Sequence, residues 1–226
     1  MGLFGLFKKK DDPDKQFYDV DPYEVIFLIS QIGTVWGKPH ITVNFQSQVP
    51  DYQFSQKTYD KLIDLGWITP VLDLNSVKKP TVDILKKICK ENGLIQSGPK
   101  DTIAKRLFDN LSVDELYAAG IPKTAALSEK GEKILKANPH LSYIYENLNF
   151  FTCDLYRLQR FRLKNRDLLA GEVLVEGLSI DDFSYPDYSW CETEGGIKYA
   201  DREAQEIAEF KYDRAIELVK KDFLMD

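Results

Sequence analysis

Residues 79–111 constrain the fold more than any other part of the sequence, because their pattern predicts two short amphipathic helices joined by a loop. Thr81 can cap a first helix over residues 82–92, and Gly93 can end that helix in a left-handed turn. Pro99 suits the first position of a second helix. Apolar side chains recur on one side of both helices and predict a small shared core: Val82, Leu85, Ile88, Cys89, Leu94, Ile103, Leu107 and Leu111.

The same stretch is basic on a chain that is otherwise acidic. Residues 78–108 contain eight basic and three acidic side chains, so their formal charge is 8 − 3 = +5. The whole chain carries −6, which leaves −11 for the rest of the sequence. A charge asymmetry this local indicates an anionic partner. The alternative is that these lysines only keep two small helices soluble.

A helix that begins at Pro99 would expose unpaired backbone amides and the positive end of its dipole beside Lys100. Such a corner suits a phosphate group. We therefore predict a phosphate-binding site formed by the loop, the start of the second helix and the nearby basic side chains. Its residues are Lys86, Lys87, Lys90, Ser97, Gly98, Lys100, Lys105 and Arg106.

The order of sequence elements in this segment resembles the SAP motif, a helix–extended loop–helix module. An apolar helix ends in KENGL, SGPK follows, and an apolar position and KRL come next. The positions that fit the motif are Leu85, Ile88, Cys89, Gly93, Leu94, Gly98, Lys100, Ile103, Arg106 and Leu107. The motif occurs in many DNA- and RNA-associated proteins, including small bacterial and phage proteins. The resemblance implies contact with the backbone of duplex DNA, often at A/T-rich sequence.

The residues around this module predict a body of helices and a few strands. Asp21 and Pro22 begin a helix that Gly33 ends, and Ser55 begins another that ends at Gly66. An alternating strand is predicted between them, over residues 41–45. The junction at residues 65–72 and the strand-to-helix stretch at 123–135, where Ser128 can cap a helix, resemble the two wing strands of winged-helix proteins. The resemblance implies that the two stretches form one hairpin, which the basic segment interrupts at the tip. The extra helix that such proteins have before the recognition helix is not visible, so an unrelated α+β body is the alternative.

The C-terminal half begins with Asn138 and Pro139, which predict the start of a long helix. Apolar residues then recur at steps of three and four: Leu141, Ile144, Leu148, Phe151, Leu155 and Leu158. This spacing indicates either a helix that faces the core or a homodimer seam within residues 141–158. The far end of the run is basic and offers a possible secondary nucleic-acid contact at Arg157, Arg160 and Lys164, although a solvated helix face is the alternative.

The sequence shows no arrangement of residues for catalysis, for a metal or for a cofactor, and we expect none of these. Cys89, Cys153 and Cys191 lie far apart, and His40 and His140 are the only histidines. A zinc site and a disulfide framework are therefore disfavoured, and a reducing cytoplasm is expected. No apolar run approaches the ~20 residues that cross a bilayer.

We therefore expect an α+β protein, mainly helical, in which a SAP-like helix–loop–helix module is inserted in or appended to a larger helical body with a few short strands. The expected parts are a flexible N-terminal segment at 1–16, body residues 17–76, the module at 78–112 and body residues 121–226. The expected function is non-enzymatic binding of nucleic acid, with duplex DNA as the partner. The alternative is a protein–protein adaptor in which the acidic aromatic segment 181–196 recruits a partner and the module has no nucleic-acid affinity.

Overall fold

The computed structural model describes residues 12–41, 54–146 and 154–178, together with Glu217. This part of the chain is mainly helical and contains a two-stranded sheet of β1 (Ile68–Val71) and β2 (Thr124–Leu127). The helices are α1 (Lys15–Tyr18), α2 (Pro22–Gln31), α3 (Gln56–Asp64), α4 (Leu74–Val77), α5 (Val82–Glu91), α6 (Lys100–Asn110), α7 (Val113–Ala118), α8 (Glu129–Ala137), α9 (Pro139–Glu146), α10 (Leu155–Lys164) and α11 (Ala170–Gly177).

The two strands pair in antiparallel fashion, with Ile68 opposite Leu127 and Val71 opposite Thr124. This pairing confirms the prediction that the segments 65–72 and 123–135 contribute the strands of one interrupted hairpin. Everything between them, residues 72–123, is an insertion that leaves the hairpin at the end of β1 and returns at the start of β2. We call it the insertion from here on.

The backbone after α2 extends the hairpin on the outer edge of β2. The amide of Gly33 donates to the carbonyl of Ala125 at 2.8 Å, and the amide of Ala125 donates to the carbonyl of Thr34 at 2.9 Å. Gly33 has a φ of 74°, the left-handed conformation that turns the chain out of the helix. The predicted helix end at Gly33 is thus confirmed, and the turn also brings the chain alongside the hairpin.

The insertion has a hydrophobic cluster of its own. Its buried members are Val77, Leu85, Ile88, Cys89, Ile103, Ala104, Leu107, Leu116 and Ile121. Burial raises the pKa of the Cys89 thiol, in keeping with a residue that packs as a small apolar side chain. Gly93 has a φ of 68°, and the amide of Leu94 donates back to the carbonyl of Cys89 at 2.8 Å. The predicted end of the first helix is therefore confirmed, while the second helix begins at Lys100, one residue after its expected start at Pro99.

The main core lies on the other side of the hairpin and is built by α2, α3 and α8 to α11. Its largest members include Phe27, Tyr59 and Trp67. Two of the predicted caps are present: the Asp21 side chain accepts from the Tyr23 amide at 3.0 Å, and Ser128 accepts from the Gly131 amide at 3.1 Å. Thr81 lies at the cap position of α5, but its side chain makes no cap hydrogen bond. These caps fix where α2 and α8 begin, and so set which faces the two helices turn to the core.

The continuous helix predicted after Pro139 is wrong at Asp154, where the backbone is extended (φ −65°, ψ 96°). The structure describes α9 as far as Glu146, and α10 begins after Asp154, whose side chain accepts from the Arg157 amide. The described apolar positions of the run face the core of the same chain: Leu141, Ile144, Leu155 and Leu158 are all at most 4% exposed. The core-facing alternative is thus confirmed for these residues, which leaves them unavailable for the predicted homodimer seam. Leu148 and Phe151 lie outside the described residues.

A layer of buried polar side chains lies within the main core. The Gln159 Nε2 donates to the Asn138 Oδ1 at 2.8 Å, and the Gln159 Oε1 lies 3.2 Å from the His140 Nε2. Because that amide oxygen only accepts, the His140 Nε2 carries the hydrogen. The His140 Nδ1 has no hydrogen-bond partner among the described residues. Burial, reinforced by the charge of Arg162, lowers the pKa of His140 to about 3.

Several predicted features fall outside the described residues. These are most of the strand at 41–45, residues 1–11 of the N-terminal segment, and the aromatic segment at 181–196. Among the residues that are described, no helix has the length and apolar character needed to cross a membrane.

Replacing Gly131 with alanine should destabilise the protein by roughly 1–3 kcal/mol, the usual cost of overpacking. A β-carbon at this position would overlap the carbonyl oxygen of Trp67 and lie 3.2 Å from the Leu127 Cδ2. The obstacle is backbone, so it cannot rotate away. Urea unfolding of Gly131→Ala measures the loss. Lys136→Ala, an exposed change on the same helix, is the control and should stay within about 0.5 kcal/mol of the original protein. Equal stability of the two variants would contradict the close packing of α8 on β1.

The free energy of unfolding should fall as the pH drops below about 6.5, because the folded protein keeps His140 neutral while the unfolded chain protonates it. This residue alone contributes up to about 1.4 kcal/mol per pH unit between the unfolded pKa and the folded pKa. His140→Gln removes the titrating group, so its stability should decline less steeply over this range. Urea titrations from about pH 7.5 to about pH 4.5 compare the two proteins. Parallel curves would show that His140 is not held neutral.

Candidate nucleic-acid interface

Three of the predicted lysines in the insertion have side chains without a hydrogen-bond or ion-pair partner among the residues that the structure describes. Lys86 and Lys90 lie on α5 four residues apart, both exposed, and Lys100 is the half-exposed first residue of α6. Within the described ranges, no acidic side chain forms an ion pair with any of the three. Residues four apart on a helix share a face, so Lys86 and Lys90 project from the same side of α5.

The N-terminus of α6 leaves its first backbone amides open. Pro99 occupies the cap position and has no side chain that could accept from them. The amides of Lys100, Asp101 and Thr102 have no acceptor among the described residues, and the first backbone bond of the helix is from Ile103 to Pro99 at 3.1 Å. These groups carry the positive end of the helix dipole. An anion placed here would therefore meet open N–H donors and the Lys100 side chain together.

The loop that leads into α6 is exposed at Ser97 and Gly98. Gly98 has a φ of 122°, a conformation that side chains with a β-carbon rarely adopt. At the other side of the helix start, Lys78 forms an ion pair with Asp101 at 3.2 Å. This pair ties the start of α6 to the segment before α5, and it places one carboxylate in the first turn of the helix.

Two other predicted site lysines are already paired. The Lys87 Nζ lies 3.8 Å from Glu91, and the Lys105 Nζ lies 3.0 Å from Asp109, each pair being four residues apart on its helix. Exposed pairs of this kind are weak, at about 0.3–0.5 kcal/mol, so they exchange readily. They nevertheless lower the local positive potential, and Lys87 and Lys105 are weaker candidates than the three unpaired lysines.

Arg106 has a structural role that the sequence did not indicate. Its Nη1 donates to the carbonyl of Ile95 and, at 3.1 Å, to the carbonyl of Ser97. Both acceptors belong to the loop between α5 and α6, so the guanidinium holds the loop against α6. The residue predicted to contact a phosphate thus shapes the segment that presents Gly98 and Lys100. An arginine directly before the buried Leu107 gives no sequence signal for this role.

The predicted secondary surface lies on α10, which packs on α1, α2 and α11. Arg157, Arg160 and Lys164 follow at steps of three and four, so they share one face of this helix. Arg160 is exposed and lies 3.9 Å from Asp154, and Lys164 is exposed. Arg162 behaves differently, because it is 6% exposed and donates to backbone carbonyls inside the fold.

Comparison of the chain with protein-family models, with curated proteins and with solved structures found no significant match. In the part of the chain that the structure describes, no group of three histidine, cysteine, aspartate or glutamate side chains is placed to hold a metal ion. The description of the site therefore depends on the geometry and charge of its own residues, of which Lys86, Lys90, Lys100 and the first α6 amides have no partner among the described residues.

Replacing Arg106 with alanine should destabilise the insertion by about 1.5–3 kcal/mol, since the loop carbonyls of Ile95 and Ser97 lose hydrogen bonds from a charged donor. Its neighbour Lys105 supplies the control: Lys105→Ala breaks only an exposed ion pair and should cost less than about 0.5 kcal/mol. Hydrogen exchange of the amides in α5 and α6 measures the change locally. Equal protection in the two variants would show that Arg106 does not hold the loop.

Proposed function

We propose that the insertion binds the phosphate backbone of duplex DNA and that the protein acts without catalysis. The observation that carries the proposal is the placement of Lys86, Lys90 and Lys100, which have no partner in the described part of the chain, on the same small unit as the open amides of α6. Residues 78–108 carry a net charge of +5, whereas the rest of the chain carries a net negative charge. The SAP-like order of its sequence elements points to the same partner.

The chemistry of these groups favours contact with phosphates rather than with bases. Lysine ammonium groups act as point charges, and backbone amides at a helix start donate to phosphate oxygens whatever the base sequence of the DNA. Such contacts position a protein on DNA but carry no base information. Binding should therefore be sensitive to salt and weakly selective for sequence, with any A/T preference arising from the shape of the groove.

Helix α3 is a poor candidate for binding DNA, although the winged-helix resemblance would make it the recognition helix. Lys61 on its exposed side forms an ion pair with Glu24, and Gln56 donates to Asp60 at 2.8 Å. The whole helix contains two lysines and two aspartates, so its net charge is zero. With its charges balanced and partly paired, α3 offers no excess attraction for phosphate. The body thus serves to present the insertion.

A second contact would strengthen binding that is modest from the insertion alone. Arg157, Arg160 and Lys164 on α10 are the described residues that could supply it. Linking two weak contacts raises the overall affinity through effective concentration, provided that one DNA molecule reaches both. Charge reversal at Arg160 and Lys164 therefore tests α10 separately from the insertion.

The test compares two double variants with the same change in net charge. Lys86→Glu/Lys100→Glu alters the proposed interface, whereas Lys57→Glu/Lys136→Glu alters exposed lysines of the body. We expect the first to lose roughly ten-fold or more in affinity for labelled duplex DNA, and its slope of log affinity against log salt to fall by about two. The second should change by less than about three-fold. Fluorescence anisotropy over several salt concentrations measures both.

The other outcomes separate the alternatives. Affinities for an A/T-rich DNA duplex, a mixed-sequence DNA duplex and an RNA duplex of matched length show whether binding depends on base sequence or on the sugar of the nucleic acid. Absence of binding at low salt, or equal losses in both variants, would reject the proposal. In that case the adaptor hypothesis remains, in which the insertion keeps its fold but has no affinity for nucleic acid.

A further inference from the structure

Residues 12–20 are the first residues that the structure describes, and they pack against the main core. We call them the strap. The strap contains the four-residue helix α1, and none of the residues of α1 is buried. Phe17 and Val20 pack only at the edge of the main cluster. A segment with so little apolar contact has low local stability of its own. Its position is therefore set by the side chains of the surface beneath it.

That surface binds the strap through the strap's backbone. The Asn138 Nδ2 donates to the carbonyl of Phe17 at 2.8 Å, and the Gln159 Nε2 donates to the carbonyl of Tyr18 at 2.6 Å. Two successive carbonyls are thus bound by two amide side chains. The last carbonyls of a helix have no partner within it, so they are open to such donors, and hydrogen bonds to them do not depend on the side chains of the bound segment.

Cationic side chains of the same surface contact the strap's carboxylate and rings. Arg166 bonds to the carboxylate of Asp12. The guanidinium groups of Arg162 and Arg166 lie 5.1 and 5.2 Å from the centre of the Tyr18 ring, and the Lys133 Nζ lies 5.8 Å from that of Phe17. These distances are within the range of cation–π attraction. The surface is therefore selective for an acidic residue followed by adjacent aromatic residues.

The binding side chains are held by partners that do not belong to the strap. The Asn138 Nδ2 also donates to the carbonyl of Ile134 at 2.8 Å, and the Gln159 Nε2 also donates to Asn138 at 2.8 Å. The Arg162 Nε donates to the carbonyl of Ala137 at 3.1 Å. If the strap leaves, each of these groups keeps at least one hydrogen bond and its orientation. A site that is formed in advance binds a peptide at lower entropic cost.

The strap does not fill the surface on which it lies. An open cavity of about 460 Å³ borders it at Gln16 and Phe17 and continues over Gly66 and Ser128 to Lys133. A longer or larger segment would find additional contact area in this direction.

We propose that this surface is a peptide-binding site that the chain's own strap occupies, and that it also accepts from another molecule a segment with the strap's conformation, in which a carboxylate precedes a helical turn that ends in two adjacent aromatic residues. The strap acts as a tethered competitor for the site. This interaction is separate from the DNA contact of the insertion, since no residue of the insertion takes part in it.

The test uses the full chain with a weakened strap. Phe17→Ser/Tyr18→Ala removes both rings but leaves Asn138, Gln159 and Arg166 in place. The probe is a fluorescent peptide of residues 12–20. We expect the variant to bind it at least about ten-fold more tightly than the original protein, in which the tethered strap competes at an effective concentration of order millimolar. Arg166→Ala added to the variant should reverse the gain. Tyr117 of the insertion is 60% exposed and does not contact the strap, so Tyr117→Ala serves as the control and should show no gain in affinity for the peptide.

A second measurement needs no variant. Excess unlabelled peptide should speed hydrogen exchange at the amides of Phe17 and Asp19 in the original protein, because these amides donate to Asp14 and Lys15 only while α1 is in place. A peptide with alanine at positions 12, 17 and 18 should have no effect. Unchanged exchange would overturn the proposal. So would equal binding of both peptides, or a folded double variant that binds no better than the original protein.

Discussion

The pairing of β1 with β2 is the interaction on which both hydrophobic clusters depend. It joins residues on either side of the insertion, and closing so long a segment costs chain entropy that grows with the logarithm of its length. The insertion offsets part of this cost, because its own cluster draws its two ends together. A buried hydrogen bond of 2.8 Å between the hydroxyls of Ser76 and Thr124 fastens the insertion to β2 at that point. Folding of the insertion and closure of the hairpin therefore favour each other.

The sequence predicted those parts of the fold that short-range signals specify. Asp21 before Pro22, Ser128 before a helical run and Gly93 after one are each sufficient to place a helix end, since the cap and its partner lie within a few residues. The hairpin followed from the resemblance of residues 65–72 and 123–135 to the two wing strands of winged-helix proteins. The break between α9 and α10 was missed because both helices face the core, so the spacing of three and four continues across it. Asp154 immediately before Leu155 was the signal that would have placed it.

The polar interactions that hold the strap and the loop could not be predicted in the same way. Asn138 binds a carbonyl 121 residues away, and Gln159 binds one 141 residues away. No periodicity in the sequence relates such partners. Arg106 is a similar case, because a basic residue in a basic segment indicates solvent or a phosphate unless the path of the loop is known. The candidate site was therefore predictable in its location and charge, but the distinction between its unpaired lysines and its loop-holding arginine required coordinates.

The division of charge between the insertion and the rest of the chain determines how the proposed interface would respond to salt. At physiological ionic strength the Debye length is about 8 Å, so DNA bound at the insertion is attracted by nearby lysines and is screened from most acidic side chains of the body. At low ionic strength the screening weakens. The formal net charge of −11 on the residues outside 78–108 then repels the same DNA. The gain in affinity on lowering the salt should therefore be smaller than counterion release from the phosphates alone would give. In the proposed complex the same repulsion would disfavour approaches of DNA to the body and would orient the duplex towards Lys86, Lys90 and Lys100.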